Sequence, residues 1–69
     1  MVEVFKTDVS KRVQAKSLVS FLLQHFPGSK INLDLDDCDR VLRVEGMNFH
    51  AEQVIVLVKE KGFECKMLD

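Results

Sequence analysis

The chain has 69 residues, of which 46% are apolar and 30% are charged, and its formal net charge is -1. A chain of this length buries only roughly 60% of its unfolded surface, so we expect one domain, residues 1–69, with one small core. The nearly balanced charge provides no general attraction to nucleic acid or to an anionic membrane, and we expect neither as a partner.

The first residues mix acidic, basic and apolar side chains and do not resemble an export signal. The longest apolar run, Val54 to Val58, is too short to cross a bilayer. We therefore expect a cytoplasmic protein in a reducing compartment, where Cys38 and Cys65 remain free thiols.

Residues 2–7 are rich in valine and phenylalanine, which predicts a first strand. Either Val2 and Val4 or Phe5 and Thr7 form its buried side, and the local pattern does not choose between them. In the segment Thr7-Asp8-Val9-Ser10 an aspartate or serine oxygen can accept hydrogen bonds from the free N–H groups of a helix N-terminus. We therefore expect a helix to begin near Ser10.

Between Arg12 and Phe26 the apolar residues of this first helix recur at helical spacing. Its expected buried face consists of Ala15, Leu18, Val19, Leu22, Leu23 and Phe26. Phe21 falls away from the centre of this face, so we expect it at the edge or in contact with another chain. Pro27 ends the helix, because the residue before a proline disfavours helical backbone angles.

A β-hairpin is predicted next. Ile31, Leu33 and Leu35 alternate with polar residues, and the same alternation returns at Leu42 and Val44. The intervening residues 36–40 are charged and typical of an exposed turn.

A second helix is predicted after the hairpin, with Asn48 as its cap and with His50 and Glu52 in its first turn. The valine-rich run at 54–58 resembles a strand in composition, but helical spacing favours a helix that ends at Gly62. Its expected buried face is Ala51, Val54, Leu57, Val58 and Lys61. This assignment leaves Val56, with Ile55 beside it, facing outward.

Residues 63–68 predict a last strand with Phe63, Cys65 and Met67 on one side. The full order of strand, helix, strand, strand, helix, strand predicts an α+β fold, a ferredoxin-like βαββαβ sandwich. Its two helices pack on one face of a four-stranded antiparallel sheet. In this topology the segment Thr7–Arg12, the turn at Cys38 and the segment Lys61–Phe63 meet at one end.

With these pieces in this order, the chain resembles the heavy-metal-associated domains, small copper and zinc carriers found as free chaperones and as modules of metal-transporting ATPases. The resemblance covers nearly the whole length. It lies in the apolar residues of the first helix, Pro27-Gly28, the strand residues 32–35, the segment 42–46 and the helix ending at residues 61–63. It implies the same fold and a tendency to dock other protein domains.

The metal-binding loop of that family is missing here. The family carries a methionine and a Cys-x-x-Cys pair, whose two thiolates hold a soft metal ion. Counting back from Pro27, the expected cysteines fall at Arg12 and Ala15, and the methionine falls at Ser10. A guanidinium repels a cation, so we expect no metal and no other cofactor in this loop.

Other residues could in principle replace the lost ligands. Cys38 lies among aspartates, a pattern that we interpret as a solvated acidic turn because no second soft ligand is close in sequence. His25 and His50 lie at the end of one helix and the start of the other, where two imidazoles alone form an incomplete metal shell. A copper or zinc carrier that uses Cys38 or His25 and His50 remains the alternative hypothesis.

The sequence contains no convincing nucleophile-and-base arrangement and no glycine-rich phosphate loop, so we expect no enzyme. The favoured hypothesis is a non-enzymatic binding module that acts through protein contacts or self-association. The apolar residues least accounted for by the core predict its partner surface: Phe21, Ile55 and Val56. A basic rim is expected from Lys11, Arg12 and Lys61. An anion-sensing or small-ligand-sensing domain is a third possibility, since bases precede the first helix.

Overall fold

The computed structural model describes residues 1–68, which form a ferredoxin-like α+β fold. The elements are β1 (Val2–Thr7), α1 (Arg12–His25), β2 (Lys30–Asp34), β3 (Val41–Glu45), α2 (Ala51–Glu60) and β4 (Cys65–Met67). The strands form one antiparallel sheet in the order β2-β3-β1-β4. The predicted order of elements and the predicted hairpin between β2 and β3 are therefore confirmed.

Phe5 and Thr7 form the buried side of β1, while Val2 is exposed. Phe5 lies opposite Leu42 in the neighbouring strand, and both side chains are fully buried beneath the helices. Burying a side chain of this size favours folding by about 1.5–3 kcal/mol, so this pair decides which face of β1 turns inward. The rest of the core comprises Val9, Ala15, Leu18, Leu22, Ile31, Val44, Phe49, Val54, Val58 and Cys65.

Phe49 is a core residue that the sequence patterns do not identify. It lies between β3 and α2, outside both elements, and its side chain is buried against the core. Its ring meets that of Phe26 edge to face, with 6.2 Å between the ring centroids. Because the neighbours of Phe49 in sequence are polar, no strand or helix periodicity marks it.

The first helix begins at Arg12, two residues later than expected, and Ser10 does not cap it. Lys11 is the N-cap residue, and its backbone N–H donates to Oε1 of Gln14 at 3.2 Å. The amide of Gln14, rather than a serine or aspartate oxygen, therefore accepts hydrogen bonds at this terminus. The helix ends at His25, just before Pro27 as predicted.

The predicted Asn48 cap on the second helix is wrong. Asn48 adopts a left-handed backbone conformation, with φ of 55°, and His50 is the N-cap residue. At the other end Gly62 has φ of 93°, its N–H donates to the Lys59 carbonyl at 3.0 Å, and the Phe63 N–H donates to the Val58 carbonyl at 3.3 Å. These two bonds form a Schellman motif, which confirms the predicted role of Gly62.

Three residues expected on buried faces are exposed instead. Leu23 and Met67 are 38% and 41% exposed, and Lys61 lies just beyond the end of α2 in solvent. Met67 pairs with Phe5, but it is the last residue of β4, which is an edge strand of the sheet. Neither helix of the described chain combines the length and apolar character needed to cross a membrane.

Candidate functional site

Hydrogen bonds connect the loop after β1 to the hairpin turn at one end of the sheet. The hydroxyl of Thr7 donates to the Arg40 carbonyl at 2.6 Å and accepts from the Val9 N–H at 3.3 Å. The Arg40 guanidinium in turn donates to the Val9 carbonyl at 3.1 Å. These hydrogen bonds connect the loop after β1 to the hairpin turn.

A second fastening joins the same loop to the last strand. The Glu64 N–H donates to Oδ1 of Asp8 at 2.8 Å, which brings the segment before β4 to the loop after β1. Lys6 and Asp39 form an exposed ion pair at 3.5 Å on the hairpin side. The predicted meeting of the three loops at one end is therefore confirmed.

Arg12 and Ala15, the two positions at which the proposed resemblance would place cysteines, lie in different surroundings. Arg12 is exposed in the first turn of α1, whereas Ala15 is buried against the core. A guanidinium and a methyl group provide no soft anionic donor, so these positions cannot act as a thiolate pair.

Cys38 lies close to two carboxylates in the hairpin turn. One ligand atom from each of Asp37, Cys38 and Asp39 falls within 4.8 Å of the others. However, Asp37 accepts a hydrogen bond from the Asp39 N–H at 2.8 Å, and the Asp39 carboxylate pairs with Lys6. These contacts assign the two carboxylates a role in stabilising the turn, because an aspartate side chain commonly accepts a hydrogen bond from the backbone N–H two residues later.

Cys65, the second thiol, is buried in the core and is far less available for chemistry. Burial raises the pKa of its thiol to about 11, and the charge of Lys59 opposes this shift only in part. The thiolate is the form that binds metals and reacts with electrophiles, so Cys65 serves as a small apolar core residue.

The two histidines do not assemble a metal shell. The His25 ring packs edge to face against Phe21, with centroids 4.8 Å apart, at the end of α1. His50 is exposed before α2. Over residues 1–68, neither histidine belongs to a group of three potential metal ligands.

The predicted partner residues are distributed over several places. Phe21 and Ile55 are half-buried against the core, and the Lys61 ammonium lies 4.2 Å from the centre of the Phe21 ring. Val56 is 57% exposed beside a hollow of about 430 Å³ between the helices. Lys11 and Arg12 are exposed at the start of α1. Phe21 and Lys61 thus contact each other, and Val56 is the exposed apolar residue among these candidates.

A more continuous surface lies between α1 and the edge strand β2. A groove of about 560 Å³ runs between them, and its apolar floor is formed by Ala15, Val19, Ile31, Leu33 and Leu35. The helix side of its rim is formed by Arg12, Lys16 and Ser20, and the strand side by Asp36 and by the backbone of Asn32 and Asp34, whose side chains alternate to the other face of the sheet. Leu23, the residue of α1 that is exposed against expectation, follows Val19 and Lys16 at helical spacing on the same side of the helix.

The backbone directions of β2 follow from the pairing of the sheet. The Gly46 N–H donates to the Met1 carbonyl at 3.0 Å. In an antiparallel ladder, hydrogen-bonding residues recur at every second position, so Val44 also directs its backbone groups toward β1. Arg43, the residue next to Val44, has the opposite direction and directs its groups toward β2, where its partner is Asn32.

It follows that the neighbours of Asn32 in β2, Ile31 and Leu33, direct their N–H and C=O groups away from β3. Among residues 1–68 no other strand lies on that side of β2. The groove therefore borders a strand edge with free backbone donors and acceptors. The ferredoxin-like topology predicted from the sequence places β2 at an edge of the sheet. The apolar groove beside β2 was not predicted, because it depends on how α1 lies across the sheet.

Comparisons of this chain with protein-family models, with curated proteins and with solved structures found no match.

Proposed function

We propose that this protein is a non-enzymatic interaction module, built like a heavy-metal-associated domain without its thiolates, which binds an extended protein segment along the free edge of β2. The observation that carries the proposal is the groove between α1 and β2, which borders outward-directed backbone groups of Ile31 and Leu33. A segment added to such an edge gains backbone hydrogen bonds, while alternate side chains enter the groove and provide selectivity.

The chemistry of the rim supports a peptide rather than a small molecule. The groove is open, carries the bases Arg12 and Lys16 on the helix side, and has the acid Asp36 beside the end of the strand. An extended segment can meet both charges with alternating side chains, and its apolar residues can cover Val19 and Leu33. In the loop after β1, in contrast, the Thr7 hydroxyl already bonds the Arg40 carbonyl and the Val9 N–H. These bonds favour a structural role for that loop.

Selection of peptides from a random displayed library tests this proposal. We expect the selected peptides to alternate in polarity and to shift the amide resonances of β2 and α1 in ¹⁵N-labelled protein. Leu33→Pro should weaken their binding by about tenfold or more, because proline removes an outward N–H without removing a bond to β3.

Leu33→Ala is the matched control for this experiment. It shortens the same side chain but keeps the backbone N–H, so it should retain more affinity than Leu33→Pro. If no peptide binds at a protein concentration at which the chain is monomeric, or if binding peptides perturb only α2 and bind Leu33→Pro as well as the unmodified protein, the proposal is wrong.

A further inference from the structure

The residues of β2 are complementary in charge and polarity to those of a second, antiparallel copy of β2. In a two-fold antiparallel pairing centred on Asn32, Ile31 of one chain lies opposite Leu33 of a second copy, and Lys30 lies opposite Asp34. The five residues of β2, Lys30–Asp34, are then all paired. We infer that the strand accepted by this edge is β2 of a second copy of this chain; this inference rests on the function proposed above.

The hydrogen-bond directions agree with this register. Ile31 and Leu33 direct their backbone groups outward, so each meets an outward-directed residue of the other chain. An antiparallel pair of this kind exchanges both bonds, and the two symmetric pairs supply roughly four backbone hydrogen bonds. A shift by one residue would place an outward-directed residue opposite an inward-directed one and would lose them.

The charges on the other face of the sheet agree as well. Lys30 and Asp34 are exposed, and within residues 1–68 neither forms an ion pair with another side chain. In the two-fold arrangement each lysine faces the aspartate of the other chain, with Cβ atoms about 5 Å apart. The two Asn32 side chains meet at the axis and can bond each other through their amides.

On the helix side, pairing brings the two α1–β2 grooves together. Ile31 and Leu33 of both chains become adjacent, and the exposed Leu23 lies on the stripe of α1 that flanks β2. The opposite edge of the sheet is less suited to pairing, because β4 has only three residues, Cys65–Met67. Short edge strands protect a sheet from added strands, whereas β2 lacks this protection.

A charge exchange between two variants tests this register. Lys30→Glu places two acids opposite each other in the dimer, and Asp34→Lys places two lysines opposite each other. Each variant alone should dimerise about tenfold or more weakly than the unmodified protein in sedimentation equilibrium. An equimolar mixture should restore association, because every lysine then faces an acid of the other chain.

Lys66→Glu is the matched control, since it makes the same charge change on the exposed residue in the middle of β4. It should leave dimerisation unchanged. Circular dichroism of each variant checks folding, because Asp34→Lys also removes the carboxylate that accepts from the Asp36 N–H at 3.0 Å.

If the unmodified protein stays monomeric to about 1 mM, or if the mixture associates no better than the separate variants, the self-pairing is overturned. The proposed function fails differently, through the absence of peptides whose binding depends on the Leu33 N–H. A monomer that binds such peptides would refute self-pairing and leave the strand-accepting function in place.

Discussion

Replacement of Thr7 by valine tests whether the hydrogen bonds of its hydroxyl stabilise the fold by connecting the loop after β1 to the hairpin turn. Thr7 is 6% exposed, and its hydroxyl makes two hydrogen bonds, to the Arg40 carbonyl and from the Val9 N–H. Valine has the same shape but neither donates nor accepts. The substitution therefore removes both bonds while leaving the packing of the side chain nearly unchanged.

The expected loss of stability follows from these contacts. Val9 is fully buried, and its N–H without a partner should cost about 2 kcal/mol. The Arg40 carbonyl is only partly buried, so its lost bond should cost about 1 kcal/mol. The added methyl group returns about 0.8 kcal/mol through apolar burial. The net decrease in the free energy of unfolding is about 2 kcal/mol, which corresponds to a decrease in Tm of about 10 °C.

Urea denaturation followed by circular dichroism measures this difference, and hydrogen exchange at the Val9 amide shows whether the loss is local. Thr7→Ser is the control, because it keeps the hydroxyl and removes only a methyl group, at a cost of about 1 kcal/mol. If Thr7→Val is as stable as the unmodified protein, or more stable than Thr7→Ser, the hydroxyl does not fasten the loop and the reasoning is refuted.

The remaining predictions concern thiols and metals. At pH 8 one thiol should react rapidly with a disulfide reagent, and Cys38→Ser should remove this fast phase, since Cys65 is buried and its pKa of about 11 leaves only about one molecule in a thousand ionised. Rapid modification of two thiols in the folded protein would contradict the burial of Cys65. Calorimetric titration with Zn(II) or Cu(I) under reducing conditions should show no tight stoichiometric site, because Arg12 and Ala15 replace the expected thiolates. Tight binding that is lost in Cys38→Ser would favour the metal-carrier hypothesis instead.

Much of the architecture was predictable because its signals are local. The apolar spacing of α1, the proline after it and the alternation around Ile31 and Leu42 each depend on neighbours in sequence. The order of these elements then allowed one compact topology, with the helices on one face of the sheet. The α2 segment shows the same rule, since its spacing predicted a helix despite its many valines.

Local signals failed where a neighbouring element decides the outcome. Ser10 and Asn48 are good capping residues by type, yet neither is an N-cap residue. At α1 the Lys11 N–H donates to the Gln14 amide, and before α2 Asn48 adopts a left-handed backbone conformation. Leu23 and Met67 fit buried stripes by their spacing, but both side chains are exposed in the folded chain. Phe49 is buried outside any periodic element, so no pattern could mark it.

The element order, the single sheet and the lack of cysteines at positions 12 and 15 can be read from the amino-acid sequence. That Phe5 and Thr7 face the core, and that α1 leaves an apolar groove beside β2, depends on packing between elements distant in the chain. The direction of the backbone groups of Ile31 and Leu33 also follows from strand pairing alone. The periodicity of apolar residues indicates which side chains share a face of a helix or strand. Whether another element packs on that face depends on contacts between residues distant in the chain.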